Sequence, residues 1–204
     1  MPDLQLPFDL ADDPDESPDT GTPDTGTPDA MFEEGSDRPP AQQLTNWLCG
    51  LVWSHDYGRL AELRRPEALT EARFLAEGYA PEDPQRPVFA RVAFLFARYH
   101  AGRRVPQAGY GSMGDALRRI GTPAGRGSKD PGARRLFERL VAARELPLRH
   151  LQHAVERARA CEVPPPSWSV LTVDLVDWKS RDRQVPYEWA RAFYTPAYPA
   201  KKNG

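Results

Sequence analysis

Charge along this chain is sorted by position, and the sorting decides which residues can fold. Residues 1–40 hold twelve of the 29 acidic groups, a single basic one (Arg38) and eight prolines, for a net charge of −11. They also carry a tandem repeat, Pro18-Asp19-Thr20-Gly21-Thr22 followed by Pro23-Asp24-Thr25-Gly26-Thr27. So little apolar surface under so much like charge cannot offset the entropy of ordering the backbone, and the segment is expected to be a disordered acidic tail. Its apolar island, Leu4, Leu6, Phe8 and Leu10, is expected to be loose as well. A fold therefore has to come from residues 41–204, which carry 26 basic and 17 acidic groups, a net +9. An acidic arm on a basic body is the footprint of a surface for a polyanion, with a tail that is solvated or competes for that surface.

Within the body the apolar residues recur with the period of a helix. Leu44, Trp47, Leu48, Leu51 and Val52 fall on one face. A short helix follows from Gly58 to Arg65, stopped by Pro66. Leu69, Ala72, Leu75 and Tyr79 predict a third helix, ended by Gly78, and Val88, Val92, Leu95, Phe96 and Tyr99 a fourth, closed by Gly102. Ser112 reads as the N-cap of a helix ending near Ile120. After a Gly-rich basic loop, Gly121 to Gly132, Asp130 as N-cap and Pro131 at the first helical position announce another helix with Leu136, Phe137, Leu140 and Val141 inward. Leu151, Val155 and Ala158 mark the next. Ser167 caps a segment carrying Trp168, Leu171, Leu175 and Trp178, and a last helix holds Trp189, Ala190, Phe193 and Tyr194. The tryptophans are read as core. No alternating strand of useful length appears. The expectation is a single all-α bundle of about seven to eight helices over residues 41–195, preceded by the tail and followed by a short C-terminal one, 196–204.

Several kinds of chemistry find no support. Gly109-Tyr110-Gly111-Ser112-Met113-Gly114 has the letters of a dinucleotide fingerprint, but a helix precedes it and no parallel sheet is there to place it. A backbone-exposing loop whose amides face a phosphate is the better reading. Ser112 lacks the first glycine of a nucleophile elbow, since Tyr110 stands there. His150 and His153 lie three apart without a completing ligand nearby, so no metal site is expected and no cofactor is implied. Asp174 and Asp177 read as charge on a helix surface. Cys49 and Cys161 are too few for a disulfide framework and read as small buried or half-buried hydrophobes. The acidic start is neither a signal nor a transit peptide, and the most apolar stretch, Val88 to Ala97, falls far short of the ~20 residues that span a bilayer. A non-enzymatic cytoplasmic protein without a membrane partner is expected.

The basic character is arginine, 23 residues against four lysines. A GC-rich genome produces the same bias, so only local clusters carry weight. Arg64-Arg65, Arg103-Arg104, Arg118-Arg119 and Arg134-Arg135 are adjacent pairs near helix ends, Arg126 and Lys129 lie in the Gly-rich loop, and Lys179, Arg181 and Arg183 follow the tryptophan helix. Such pairs can converge on one face and track a phosphate backbone. They can equally be solvated charges with partners one turn away, as Arg134 has in Glu138.

Five segments in order resemble one family. They are Gly58-Arg59-Leu60-Ala61-Glu62-Leu63-Arg64-Arg65, Ser112-Met113-Gly114-Asp115-Ala116-Leu117-Arg118-Arg119, Ala133-Arg134-Arg135-Leu136-Phe137, Trp168-Ser169-Val170-Leu171-Thr172-Val173-Asp174-Leu175 with Trp178 beyond, and Trp189-Ala190-Arg191-Ala192-Phe193-Tyr194. The set is similar to the small subunit (CasB family) of the type I-E CRISPR Cascade complex, over residues 44–195. The resemblance implies a non-catalytic helical subunit, present as two copies, touching the backbone-forming subunits and the large subunit. It would offer cationic surface to the guide RNA–target DNA heteroduplex and the displaced strand, while base pairing reads sequence. Arg64, Arg65, Arg118, Arg119, Arg134 and Arg135 fall inside the matched segments and are the candidate phosphate contacts, with Arg126, Lys129 and Arg149 added to them. The acidic tail and the length of the Gly121–Lys129 loop depart from the family pattern. A free-standing helical nucleic-acid-binding regulator and a protein-interaction scaffold are the alternatives.

Overall fold

The helix from Arg86 to Tyr99 is apolar on almost every side once its first turn is past. Val88, Phe89, Val92, Ala93, Phe94, Leu95, Phe96, Ala97 and Tyr99 are all buried. A helix of that composition has to be surrounded, and the chain wraps it. The structure, a computed structural model, describes residues 38–122, 125–181 and 184–195; the expected tails, up to residue 37 and from 196, lie outside the described residues, as does Arg183. Among the described residues nine α-helices run in chain order: α1 (Pro40–Trp53), α2 (Tyr57–Leu63), α3 (Glu71–Glu77), α4 (Arg86–Tyr99), α5 (Met113–Arg118), α6 (Pro131–Val141), α7 (Leu148–Ala160), α8 (Trp168–Val176) and α9 (Val185–Tyr194). A two-residue antiparallel hairpin, β1 (Gly121–Thr122) with β2 (Gly125–Arg126), links α5 to α6. The all-α class is as expected. Helices α1, α2, α3, α7 and α8 pack on α4, while α5 lies against α9 and α6 touches α5, α7 and α9.

Local signals place most of the helix starts. Asp56, Thr70, Ser112, Asp130 and Ser167 each accept a hydrogen bond from the backbone N–H three residues on, satisfying donors that a helix start otherwise leaves open. Trp168 and Trp189 are fully buried and Trp178 is nearly so, the last two rings lying 5.2 Å apart.

Three expectations are corrected. The stripe assigned to α3 holds in part: Ala72 is buried as expected and Tyr79 packs against the core, but Ala76 is buried in place of Leu75, and Leu69, Phe74 and Leu75 are 75%, 54% and 41% exposed. Thr70 caps α3, so Leu69 precedes the helix, and the small side chains let this short element approach α2 and α4 closely. Asp174 is not surface charge. It is 1% exposed and accepts a hydrogen bond of 2.6 Å from the Trp189 indole, joining α8 to α9. Cys161 is exposed just past α7, whereas Cys49 is half-buried and burial pushes its thiol pKa up.

The polar end of α4 is knotted into the loops that follow it. His100 is 1% exposed; its Nδ1 donates to the Phe96 carbonyl and its Nε2 accepts from the Gln107 amide, both at 2.9 Å. That pairing fits only the neutral ring. The Gln107 carbonyl in turn accepts from the Trp168 indole at 2.9 Å, and the Tyr99 hydroxyl lies 2.9 Å from the Val163 carbonyl. Nearby, Arg119 reaches from the end of α5 to the carbonyls of Tyr110, Pro164 and Pro165 at 3.1–3.2 Å, with its guanidinium 4.1 Å above the Tyr110 ring. Backbone bonds from Tyr110 to Pro165, Ser167 to Gly111 and Trp168 to Ala108 complete the lacing of the two loops.

Two outcomes follow from these ties. Burial first, and then Arg103, pull the His100 pKa from 6.5 to about 4, against the Phe96 bond that raises it. Between those values the unfolded chain binds the proton and the folded chain does not. The contribution to stability is therefore complete above pH 6.5 and is lost towards pH 4, amounting to about 3 kcal/mol. Urea denaturation across that range should show this dependence, and His100→Gln should flatten it. Arg119→Ala should lower stability by about 2 kcal/mol, because three loop carbonyls, those of Pro164 and Pro165 part-buried, lose a charged donor. Arg119→Lys should not fully restore it, since a compact ammonium cannot lie flat over the Tyr110 ring as the guanidinium does while its Nη2 meets the three carbonyls.

Candidate nucleic-acid interface

Helix α5 is short, and its placement is fixed at both ends. At its start Ser112 and Asp115 form a reciprocal capping box, the Asp115 carboxylate accepting from the Ser112 amide at 2.9 Å and the Ser112 hydroxyl from the Asp115 amide at 3.2 Å. Gly114 lies where α5 meets α9 backbone to backbone, and a Cβ there would collide with the Trp189 carbonyl. This accounts for the glycines that mimic a dinucleotide fingerprint. The expectation that the amides of this loop face a phosphate is corrected, because those of Tyr110 and Ser112 are taken by the Pro165 carbonyl and the Asp115 carboxylate.

Beyond α5 the Gly-rich segment turns back on the helix. Gly127 has φ +60°, and a side chain there would strike the Arg118 backbone and Cγ. Its N–H donates to the Ile120 carbonyl at 2.9 Å, and its own carbonyl accepts from Asp130 at 3.0 Å. The loop is thereby closed against α5, and a single 3-10 turn, Gly127–Lys129, leads into the Asp130 cap of α6. Arg126 and Lys129 are exposed beside Arg118 as a result.

Between this loop and the end of α9 opens a hollow of about 410 Å³, lined by Arg118, Arg119, Arg126, Ser128 and Lys129 on one side and by Phe193 and Tyr194 on the other. The C-terminus of a helix is its negative end, and α9 would oppose an anion here. Arg118 counters this by donating to the Thr195 carbonyl while keeping Asp115 at 3.6 Å. Arg126 and Lys129 have no ion-pair partner among the described residues.

Four of the nine candidate residues thus meet, Arg118, Arg119, Arg126 and Lys129. Of these, Arg119 is committed to the loop carbonyls, and burial lowers its pKa, partly offset by Tyr110 and Asp115. Arg134 does not line the hollow and is paired with Glu138 at 2.8 Å. The remaining four do not line this hollow. Arg64 ends α2, Arg65 borders a smaller cleft with Arg73 and Arg91, Arg135 is exposed on α6, and Arg149 is exposed in the first turn of α7. Tyr194, placed on the last helix with Trp189, Ala190 and Phe193, is 47% exposed and forms part of the hollow. Its position directly after Phe193 was the available signal, because one residue turns a helix by about 100° and carries the next side chain off the buried stripe.

Among the described residues no cluster of three or more His, Cys, Asp or Glu side chains is placed to hold a metal, and no helix is long and apolar enough to cross a membrane.

Residues 59–194 match the family of CRISPR-associated protein Cse2, a span that runs from within α2 to the end of α9 and includes the whole hollow. The crystal structure of CasB from Thermobifida fusca is similar in fold, with a TM-score of 0.59 and 21% identity over 76% of this chain and 96% of that one. No curated protein sequence matches significantly. With two thirds of its length, seven of its described helices and most of an eighth inside the match, the chain belongs to the CRISPR-associated Cse2 family.

Proposed function

We propose that this chain is the small subunit of a type I-E CRISPR Cascade complex, steadying the guide RNA–target DNA heteroduplex and the displaced strand through sequence-independent phosphate contacts. It acts in the cytoplasm as one of two copies, against the backbone-forming subunits and the large subunit, and performs no catalysis. Membership of the Cse2 family, a structural component of Cascade, supports the reading. The observation that carries the nucleic-acid part is the convergence of Arg118, Arg126 and Lys129 on one hollow within the matched residues. Arg64, Arg65, Arg134, Arg135 and Arg149 extend the cationic surface, while Arg119 contributes by holding the loops behind it.

Contacts of this kind release counterions, so affinity falls linearly with salt on logarithmic axes. For the full-length chain on single-stranded DNA, Arg126→Ala with Lys129→Ala should weaken binding equally for unrelated sequences. The salt slope should become shallower by about 1.4, roughly 0.7 for each lost phosphate contact. A folded double variant with an unchanged slope would return these residues to ordinary surface charge and favour the scaffold reading. Sequence-dependent duplex binding would favour a regulator.

A further inference from the structure

The hollow holds an aromatic side chain among its cations. Phe193 is 1% exposed and stacks on Phe137 at 4.2 Å, so it belongs to the core. Tyr194 is different. Phe193 and Phe137 meet its ring at 81° and 86°, with centroids 4.9 and 5.6 Å away. These contacts fix the plane of a ring that is still 47% exposed and borders the hollow with Arg126 and Lys129.

We infer that the hollow is a binding site for an unpaired nucleotide, with the base stacked on Tyr194 and the flanking phosphates held by Arg126 and Lys129. This rests on the nucleic-acid reading above and adds a preference to it. In a duplex the faces of the bases are covered by their neighbours, so a ring on the protein reaches a base face only in an unpaired strand. Every base has such a face, so stacking tolerates any sequence while rejecting duplex. Phosphate contacts alone draw no such distinction. Preorganisation strengthens the site, because a ring already held by Phe137 and Phe193 loses little freedom on binding.

The test uses the full-length chain with single-stranded DNA, single-stranded RNA and duplex DNA of unrelated sequences. Tyr194→Leu should weaken single-strand binding about tenfold, within the range for loss of one base–aromatic stack. It should leave duplex binding and the salt slope unchanged, because stacking releases no counterion. Tyr194→Phe keeps the ring and should bind as the parent does, as should Tyr187→Ala, which removes another exposed tyrosine of α9. A single strand carrying 5-iodouracil, irradiated in the near ultraviolet, should cross-link to Tyr194 of the unmodified chain. Dependence on Tyr194 with DNA only, RNA only or both supports the site and names the strand it takes. Full single-strand affinity in Tyr194→Leu, or tight binding with the cross-link elsewhere, overturns it while leaving the phosphate contacts standing. Should Tyr194→Leu fail to fold, the cross-link on the unmodified chain and on Tyr194→Phe decides. Absence of any salt-dependent binding removes both readings together.

Discussion

The burial of α4 is the constraint on which the rest of the structure depends. A helix with Phe89 and Phe96 on one face and Phe94 well round from them leaves only the strip of Arg91 and Arg98 to water, so α1, α2 and α3 cover it from one part of the sequence and α7 and α8 from another. Its last turn carries Tyr99 and His100 inward, and each must find partners because unpaired polar groups inside a core are costly. Gln107, Val163 and the Phe96 carbonyl supply them. Those bonds set where the loop from Gly102 to Gly111 can run, which sets the start of α5, and α5 sets the hollow at its far end.

What was legible in the sequence was mostly local. Caps at Ser112, Asp130 and Ser167 depend on residues three apart, and such patterns are printed in the chain. What was not legible depended on neighbours distant in sequence. Asp174 looks like a charge on an amphipathic helix until Trp189 is brought against it. Arg119 looks like half of a phosphate-binding pair until Pro164 and Pro165 present their carbonyls to it. In α3 Ala72 was placed inward correctly, but the next turn was assigned to the larger Leu75, whereas close packing selected Ala76.

The same distinction governs the arginines. A net excess of positive charge says little about which cations are available to a partner, because many are engaged at home. Arg73 holds Glu77 at 2.9 Å, Arg134 holds Glu138 at 2.8 Å and Arg98 holds Glu156. Exposed pairs of this sort contribute little stability, on the order of 0–1 kcal/mol, but they neutralise the groups they join. Arg126 and Lys129 stand out less by their charge than by a glycine-built turn that lifts them clear of carboxylates.

The order in which a ribosome releases this chain gives the enclosure of α4 a further meaning. Its earlier neighbours, α1 to α3, are made before it, but α7 and α8 end at residues 160 and 176. Synthesis proceeds at about 5–20 residues per second, so the interval between the end of α4 and the end of α8 lasts roughly 4–15 s. Throughout it a nascent helix rich in phenylalanine lacks part of its cover. Such a surface is what chaperones of newly made chains recognise, and a chain arrested before α8 would be a substrate for proteolysis rather than a smaller version of the folded domain.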